Sequence, residues 1–261
     1  DRPLLFTDVA SAELIKYAVK NQIIQHTNDL FSELIGIRRH LHRYPELSFG
    51  EFKTSEYLRG ILERWDIPFT HPFAGTGILG RIEGQSGPGP VIALRCDMDA
   101  LPITEESGLK CASVNEGVMH ACGHDIHMTC VLGAAHVLSS LKETFGGSVL
   151  LVFQPGEEKL PGGAKLMMEE GIFDEYKPDL IIGQHVLPEM KTGMVGFKPG
   201  MYMASSDEIY ITVRGKGGHG AMPEHINDPV LMTSHILISL QQEINRKSPK
   251  GIPTVLSFGR V

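Results

Sequence analysis

The chain has 261 residues, of which 42% are hydrophobic and 21% are charged, enough for one large domain or two smaller ones. Its net charge of -7, without a run of lysine or arginine, argues against a nucleic-acid partner. The sequence contains no run of about 18 apolar residues, so no membrane span is predicted. The N-terminal segment lacks the pattern of a signal peptide. The four cysteines, at positions 96, 111, 122 and 130, show no disulfide spacing, so we expect a reducing, cytoplasmic compartment.

Two helices are predicted near the start of the chain. Residues 28–46 carry apolar side chains at helical spacing, with Asn28 or Asp29 as the N-cap and Pro45 as the terminator. Residues 51–66 form the second helix. Before them the pattern is weak, although residues 12–24 could form a short helix.

Apolar strands and helices alternate in the middle of the chain. This order predicts an α/β domain with a mostly parallel sheet, because buried strands separated by helices usually pair in parallel. The predicted strands are residues 76–84, 90–99, 148–153 and 178–186, and the predicted helices are residues 126–143 and 162–173.

The pattern changes near residue 200. Residues 205–223 alternate polar and apolar side chains, as in a half-exposed antiparallel strand, and an amphipathic helix over 228–247 and a strand over 253–261 follow. We therefore expect a first domain over residues 1–199 and the start of a smaller α+β domain over residues 200–261.

Polar clusters follow the predicted strands of the first domain. They comprise Asp97 and Asp99, Cys122 and His124, Glu157 and Glu158, and His185. Taken singly, the paired acids could be solvated loop residues, His185 a core histidine and Cys122 a small buried apolar residue. Ligands of open α/β sheets bind beyond the carboxyl ends of the strands, so four clusters at these ends favour one shared site.

The residue types at these positions suit a transition metal. Thiolate, imidazole and carboxylate together match zinc, manganese, cobalt or nickel. Adjacent acids such as Glu157 and Glu158 allow one to bind a metal while the other moves a proton.

Six segments resemble one known family. They are HRYPELSFGE, DMDALPI, MHACGHDIH, QPGEE, GQHVLPEMKTG and GKGGHGAMPE. Their order and spacing are similar to those of the M20 metallopeptidase-like amidohydrolases, in the subgroup of hippurate, N-acyl-amino-acid and auxin-conjugate hydrolases. The resemblance covers residues 28–261. It implies a metal-binding catalytic domain with an inserted lid and dimerisation domain.

The resemblance also implies a role for each matching residue. Cys122 would bridge two divalent metal ions. His124 and Glu158 would bind one ion, and His185 the other. Glu157 would be the general base.

Two further residues receive roles from the same resemblance. Asp99 would orient a ligand, and His219, in the lid, would contact the substrate. His120 and His127 could be alternative ligands, but supporting or surface positions are the preferred interpretation. His42 is expected in the wall of the site.

One departure from the family pattern bears on activity. In the family the catalytic domain resumes after the lid and supplies a final metal-binding histidine. In this sequence Val261 lies within the expected lid, so the lid is expected to be incomplete.

The leading hypothesis is metal-dependent hydrolysis of the amide bond of a small N-acyl amino acid, by a chain that self-associates through its lid. An alternative is a truncated, non-catalytic homologue that has a vestigial metal site and acts as an interaction module. A third hypothesis, thiol-dependent hydrolysis by Cys122, is less favoured because Glu157 is a better base among metal-type residues.

Overall fold

The computed structural model describes residues 6–203, 205–252 and 254–261, with side chains from residue 17 onward. The chain divides into two compact units, Asp1–Thr192 and Gly193–Val261. The first unit is an α/β structure, as predicted, and it contains nearly all of the regular elements. None of the helices in the described ranges combines the length and apolarity needed to cross a bilayer.

Helix α1 spans Phe6–Arg43 without interruption, so the predicted helix start at Asn28 or Asp29 is wrong. Asp29 accepts a hydrogen bond from the Gln25 side chain one turn earlier, at 2.9 Å, which is a mid-helix contact and not a cap. An asparagine inside a helix destabilises it by only a few tenths of a kcal/mol, so Asn28 does not end the preceding turns. The helix ends before Pro45 as expected, and α2 spans Phe52–Arg64.

Five strands form one mixed sheet in the order β1-β2-β4-β3-β5. Their bounds are Phe69–Phe73, Gly77–Glu83, Val91–Asp97, Ser148–Gln154 and Leu180–Gly183. The pairs β3–β4 and β3–β5 are parallel, whereas β2 is antiparallel to both β1 and β4. In the β3–β4 pair Cys96 lies opposite Phe153 and Asp97 opposite Gln154. The three parallel strands therefore end at one edge, which we call the carboxyl edge of the sheet.

Two strands differ from the prediction. Strand β1 was not predicted, because a five-residue edge strand that contains Pro72 has a weak sequence signal. Strand β5 was predicted to be buried, and this is wrong: its four residues are exposed, with Leu180 at 53%. In the described part of the chain β5 pairs only with β3, so it is an edge strand.

Apolar side chains cover both faces of the sheet. Val149, Leu151 and Phe153 of β4 pack with α1, α2 and α3 on one face. Leu150 and Val152 point to the other face, where they meet α4 and the residues after it. This alternation along β4 follows from the two-residue period of a strand and explains why its seven residues are all buried.

Two helices follow strands of the sheet. Helix α3 spans His124–Ser140 and α4 spans Gly163–Glu169. Helix α3 begins two residues earlier than predicted, so His124 is its first residue. This start places the HACGH segment directly at the carboxyl edge of the sheet.

The second unit contains helix α5, Pro229–Lys247, as predicted. Its N-cap is Asp228, whose side chain accepts hydrogen bonds from the amides of Val230 and Leu231. The strands predicted over 205–223 and 253–261 are not formed in the described residues, where only an isolated bridge joins Lys216 and Asn227. A strand needs a continuous hydrogen-bonding neighbour, and the described residues of this unit provide none.

Candidate metal centre

The polar clusters of the first unit meet at the carboxyl edge of the sheet. Asp97 ends β3, the Glu157 and Glu158 loop follows β4, and His185 follows β5. Cys122 and His124 enter from the start of α3. The donor atoms form three overlapping groups, and within each group all atoms lie within 4.8 Å of one another. They are Cys122, His124 and His185; His124, Glu157 and Glu158; and Asp97, His124 and His127.

Cys122 and His185 face each other, with Sγ 3.3 Å from Nε2. The Nδ1 of His185 donates to the carbonyl of Val186 at 2.7 Å, which leaves the Nε2 lone pair toward the sulfur. Burial and the neighbouring Glu158 and Glu157 carboxylates raise the pKa of Cys122 to about 12. A thiol in such surroundings becomes a thiolate only when a cation is bound beside it.

His124 is buried and its two nitrogens have different surroundings. Nδ1 donates to the carbonyl oxygen of Asp99 at 2.8 Å. Nε2 lies 3.7 Å from Oε1 of Glu158 and 4.0 Å from Oε2 of Glu157. These separations are too long for hydrogen bonds, and within the described residues neither Nε2 of His124 nor Oε1 of Glu158 has another partner.

Such orphaned atoms are the pattern expected of metal ligands. Zinc lies about 2.0–2.2 Å from nitrogen and oxygen ligands, so two ligands of one ion are roughly 3–4 Å apart. The His124–Glu158 and Cys122–His185 distances fall in this range. The donor set of sulfur, imidazole and carboxylate therefore fits divalent metal ions in both chemistry and spacing.

Asp99 fastens the Glu157 and Glu158 loop to the end of β3. Its two carboxylate oxygens accept the amides of Glu157 and Glu158 at 3.0 and 2.9 Å, and one of them also accepts the hydroxyl of Ser48. Burial raises its pKa, but hydrogen bonds from His124 and Ser48 outweigh burial and lower it overall. The carboxylate of Asp99 thus holds the amides of both glutamates, while its backbone carbonyl accepts the bond from His124.

Glu157 has the surroundings of a proton-transfer group. Its pKa is raised by burial, then by the charges of Glu158 and Asp97. Its side chain is 41% exposed, in contrast to the buried His124. A carboxylate with a raised pKa beside orphaned metal-type ligands can accept a proton and release it again.

Asp97 and His127 form a contact that the sequence analysis did not assign. Nδ1 of His127 lies 2.7 Å from Oδ1 of Asp97, and Nη1 of Arg95 donates to Oδ2 at 2.7 Å. Burial raises the pKa of Asp97, but the bond from His127 and the charge of Arg95 lower it to about 2. Two patterns could have indicated this pair: Asp97 and Asp99 share one side of a strand, and His124 and His127 share one face of a helix.

Three other histidines lie in different places. His42 is buried between Asp125 at 2.9 Å and Glu105 at 3.1 Å, beside the start of α3, and its place in the wall of the site stays a prediction. His120 is buried just before Cys122. His219 belongs to the second unit, where it is exposed and accepts the amide of Ala221, so its role toward a substrate stays a prediction.

Comparison with known proteins places the chain in a family. Residues 93–257 match the model of peptidase family M20/M25/M40, and the chain belongs to this family. It is 41% identical to the N-acetyl-L-cysteine deacetylase of Bacillus subtilis over 89% of this chain and 55% of that protein. It is 39% identical to the N-acyl-L-amino acid amidohydrolase of Geobacillus stearothermophilus over 91% of this chain and 64% of that protein.

Solved structures agree with this assignment. A protein from methicillin-resistant Staphylococcus aureus matches with a TM-score of 0.75 at 38% identity, covering 92% of this chain and 63% of that one. A Bacillus subtilis protein described as a dinuclear metal-binding peptidase of the M20 family matches with a TM-score of 0.63 at 40% identity, covering 66% of this chain and 48% of that one. The chain thus spans about half to two thirds of the length of these relatives.

Proposed function

We propose that the protein is a metal-dependent amidohydrolase that uses two divalent ions at the carboxyl edge of the sheet. The observation that carries the proposal is the orphaned pair His124 Nε2 and Glu158 Oε1, 3.7 Å apart, beside the facing Cys122 and His185. The dinuclear metal site of the B. subtilis structural relative supports the number of ions. The donor set accepts zinc, manganese, cobalt or nickel.

Each residue has a distinct task in this proposal. His124 and Glu158 would hold one ion, His185 would hold the other, and the thiolate of Cys122 would contribute to both. When bound, such ions acidify water and polarise a carbonyl group. Glu157 takes the proton of the attacking water on its free carboxylate and delivers it to the leaving nitrogen. Asp99 keeps Glu157 and Glu158 in place, and His219 contacts the substrate.

The proposed substrate is a small N-acyl amino acid, which is cleaved into a carboxylate and an amine. The names of the relatives support this class, since one is a deacetylase of N-acetyl-L-cysteine and another acts on N-acyl-L-amino acids. We also propose that copies of the chain associate through residues 200–261. The proposed location is the cytoplasm.

The Glu157→Gln variant tests the base assignment. Glutamine keeps the shape but cannot accept the proton, so turnover of a panel of N-acetyl amino acids should fall by about 10²–10⁴-fold. Metal content by elemental analysis should equal that of the wild type, because Glu157 is not a proposed ligand.

Cys122→Ala is the contrasting variant, and it should lose both bound metal and turnover. If Glu157→Gln keeps full turnover, Glu157 is not the base. If the wild type binds metal but hydrolyses no member of the panel, the amidohydrolase proposal is wrong and the non-catalytic alternative gains support.

A further inference from the structure

His127 is completely buried between two proposed metal ligands but uses both of its nitrogens within the protein. Its ring centroid lies 5.4 Å from that of His124 and 4.7 Å from that of His185. Position and residue type would suit a third ligand histidine. Its hydrogen bonds, however, exclude His127 as a metal ligand.

The backbone contact of His127 fixes its protonation pattern. The amide of Val186 lies 3.0 Å from Nε2, and an amide N–H can only donate, so Nε2 is the acceptor. Nδ1 therefore carries the proton and donates to Asp97 at 2.7 Å. With one nitrogen accepting an amide and the other protonated, the ring offers no free lone pair to a metal ion.

Val186 connects His127 to His185. Its amide is held by His127, while its carbonyl accepts Nδ1 of His185 at 2.7 Å. The side chain of Val186 also lies against Gly123, where a Cβ would come within 2.5 Å of it. The backbone of one residue is thus held by α3 through its amide and accepts the His185 ring through its carbonyl.

We infer that His127 is a positioning residue that holds the backbone of Val186 and thereby aims Nε2 of His185 at the metal position next to Cys122. The inference rests on the proposed function, in which His185 is a ligand. Partners behind ligand side chains commonly change metal affinity by about 10–100-fold when they are lost. Here the partner acts on the ligand through the main chain of Val186.

Two amide side chains separate the two bonds of His127. In His127→Gln the amide oxygen lies near the place of Nε2, so the acceptor for Val186 is kept and the Asp97 bond is lost. In His127→Asn the amide nitrogen lies near the place of Nδ1, so the Asp97 bond is kept and Val186 loses its acceptor.

The test measures zinc affinity and stoichiometry of the full chain and both variants, and hydrogen exchange of the Val186 amide without metal. We expect His127→Asn to bind one of the two ions about 10–100-fold more weakly and to exchange Val186 faster. We expect His127→Gln to stay close to the wild type in both measurements.

Equal behaviour of the two variants, whether both bind zinc as the wild type does or both lose metal or fold, overturns the inference. A larger loss in His127→Gln than in His127→Asn also overturns it, because the Asp97 bond would then be the important one. Failure of the proposed function would show in the wild type itself, as a chain that binds no metal or hydrolyses no substrate.

Discussion

His120 illustrates how a single side chain can set the acid sensitivity of the fold. It is buried, and in the described part of the chain neither ring nitrogen has a hydrogen-bond partner. Burial lowers its pKa from 6.5 to about 4. Between these pH values the unfolded chain binds the proton and the folded chain does not. The contribution of His120 to stability is therefore fully present above pH 6.5 and is lost as the pH drops toward 4.

His120→Leu should remove this part of the acid sensitivity. We expect the wild type, with metal chelated, to lose up to about 3 kcal/mol of unfolding free energy through this group between pH 7 and 4. The variant should lose correspondingly less. Urea unfolding at a series of pH values gives the comparison, with His235→Leu as a control because that ring is already solvated. Parallel curves for wild type and His120→Leu would contradict the prediction.

The sequence predicted which residues lie at the site, but it did not predict their hydrogen bonds. The residues at strand ends, among them Asp99, Glu158 and His185, could be grouped because parallel strands end at one edge. The task of His127 depends on which nitrogen meets Val186, and no spacing rule gives this. The isolation of His120 likewise depends on residues distant in sequence.

At the level of elements, the segment between β4 and α4 sets the place of both glutamates. Its two ends are held together, since the amide of Gly163 donates to the carbonyl of Gly156 at 2.9 Å. A Cβ on Gly163 would lie 1.7 Å from the carbonyl oxygen of Pro155, which is backbone and cannot rotate away. Only glycine allows this closure.

Gly163→Ala should therefore spread the segment and displace Glu157 and Glu158. We expect a loss of roughly 1–3 kcal/mol of unfolding free energy and weaker zinc binding. Gly60→Ala, in the exposed middle of α2 where a Cβ meets nothing within 4 Å, is the control. It should gain about 1 kcal/mol from helix propensity. If the Gly163→Ala protein kept its thermal unfolding and zinc affinity, closure of the segment would not depend on glycine at position 163.

Elements with strong periodicity were predictable, and those set by neighbours were not. Helices α2 and α5 and strands β3 and β4 follow from the spacing of their apolar residues. The length of α1 depends on the absence of any breaker in a weakly patterned segment. The exposure of β5 depends on what lies beside it, which its apolar sequence does not reveal.

At the scale of the whole chain, the two units differ in how much they bury. Residues of the first unit form both apolar clusters of the sheet. In the second unit none of the described residues is buried, and Phe197 and Tyr210 are exposed at 91% and 87%. Local stability follows buried apolar contact, so the second unit should open more readily.

Limited trypsin digestion should reflect this difference. We expect early cleavage after Lys191, Arg214 and Lys216 and a resistant fragment that ends at Lys191, identified by mass spectrometry. Early cleavage after Arg81 or Arg95, inside the sheet, would contradict the expectation. The assignment of residues 200–261 to a lid stays a prediction.

The alternation along β3 links folding to chemistry. Cys96 and Met98 enter the apolar cluster under the helices, while Asp97 and Asp99, one position away in each case, contact His127 and the amide of Glu158. A slip of one residue against β4 would exchange the two sets, bringing sulfur among the polar groups of the carboxyl edge and two carboxylates into hydrocarbon. Misaligned chains would thus be too unstable to accumulate, so any molecule that completes the sheet also presents its acids correctly.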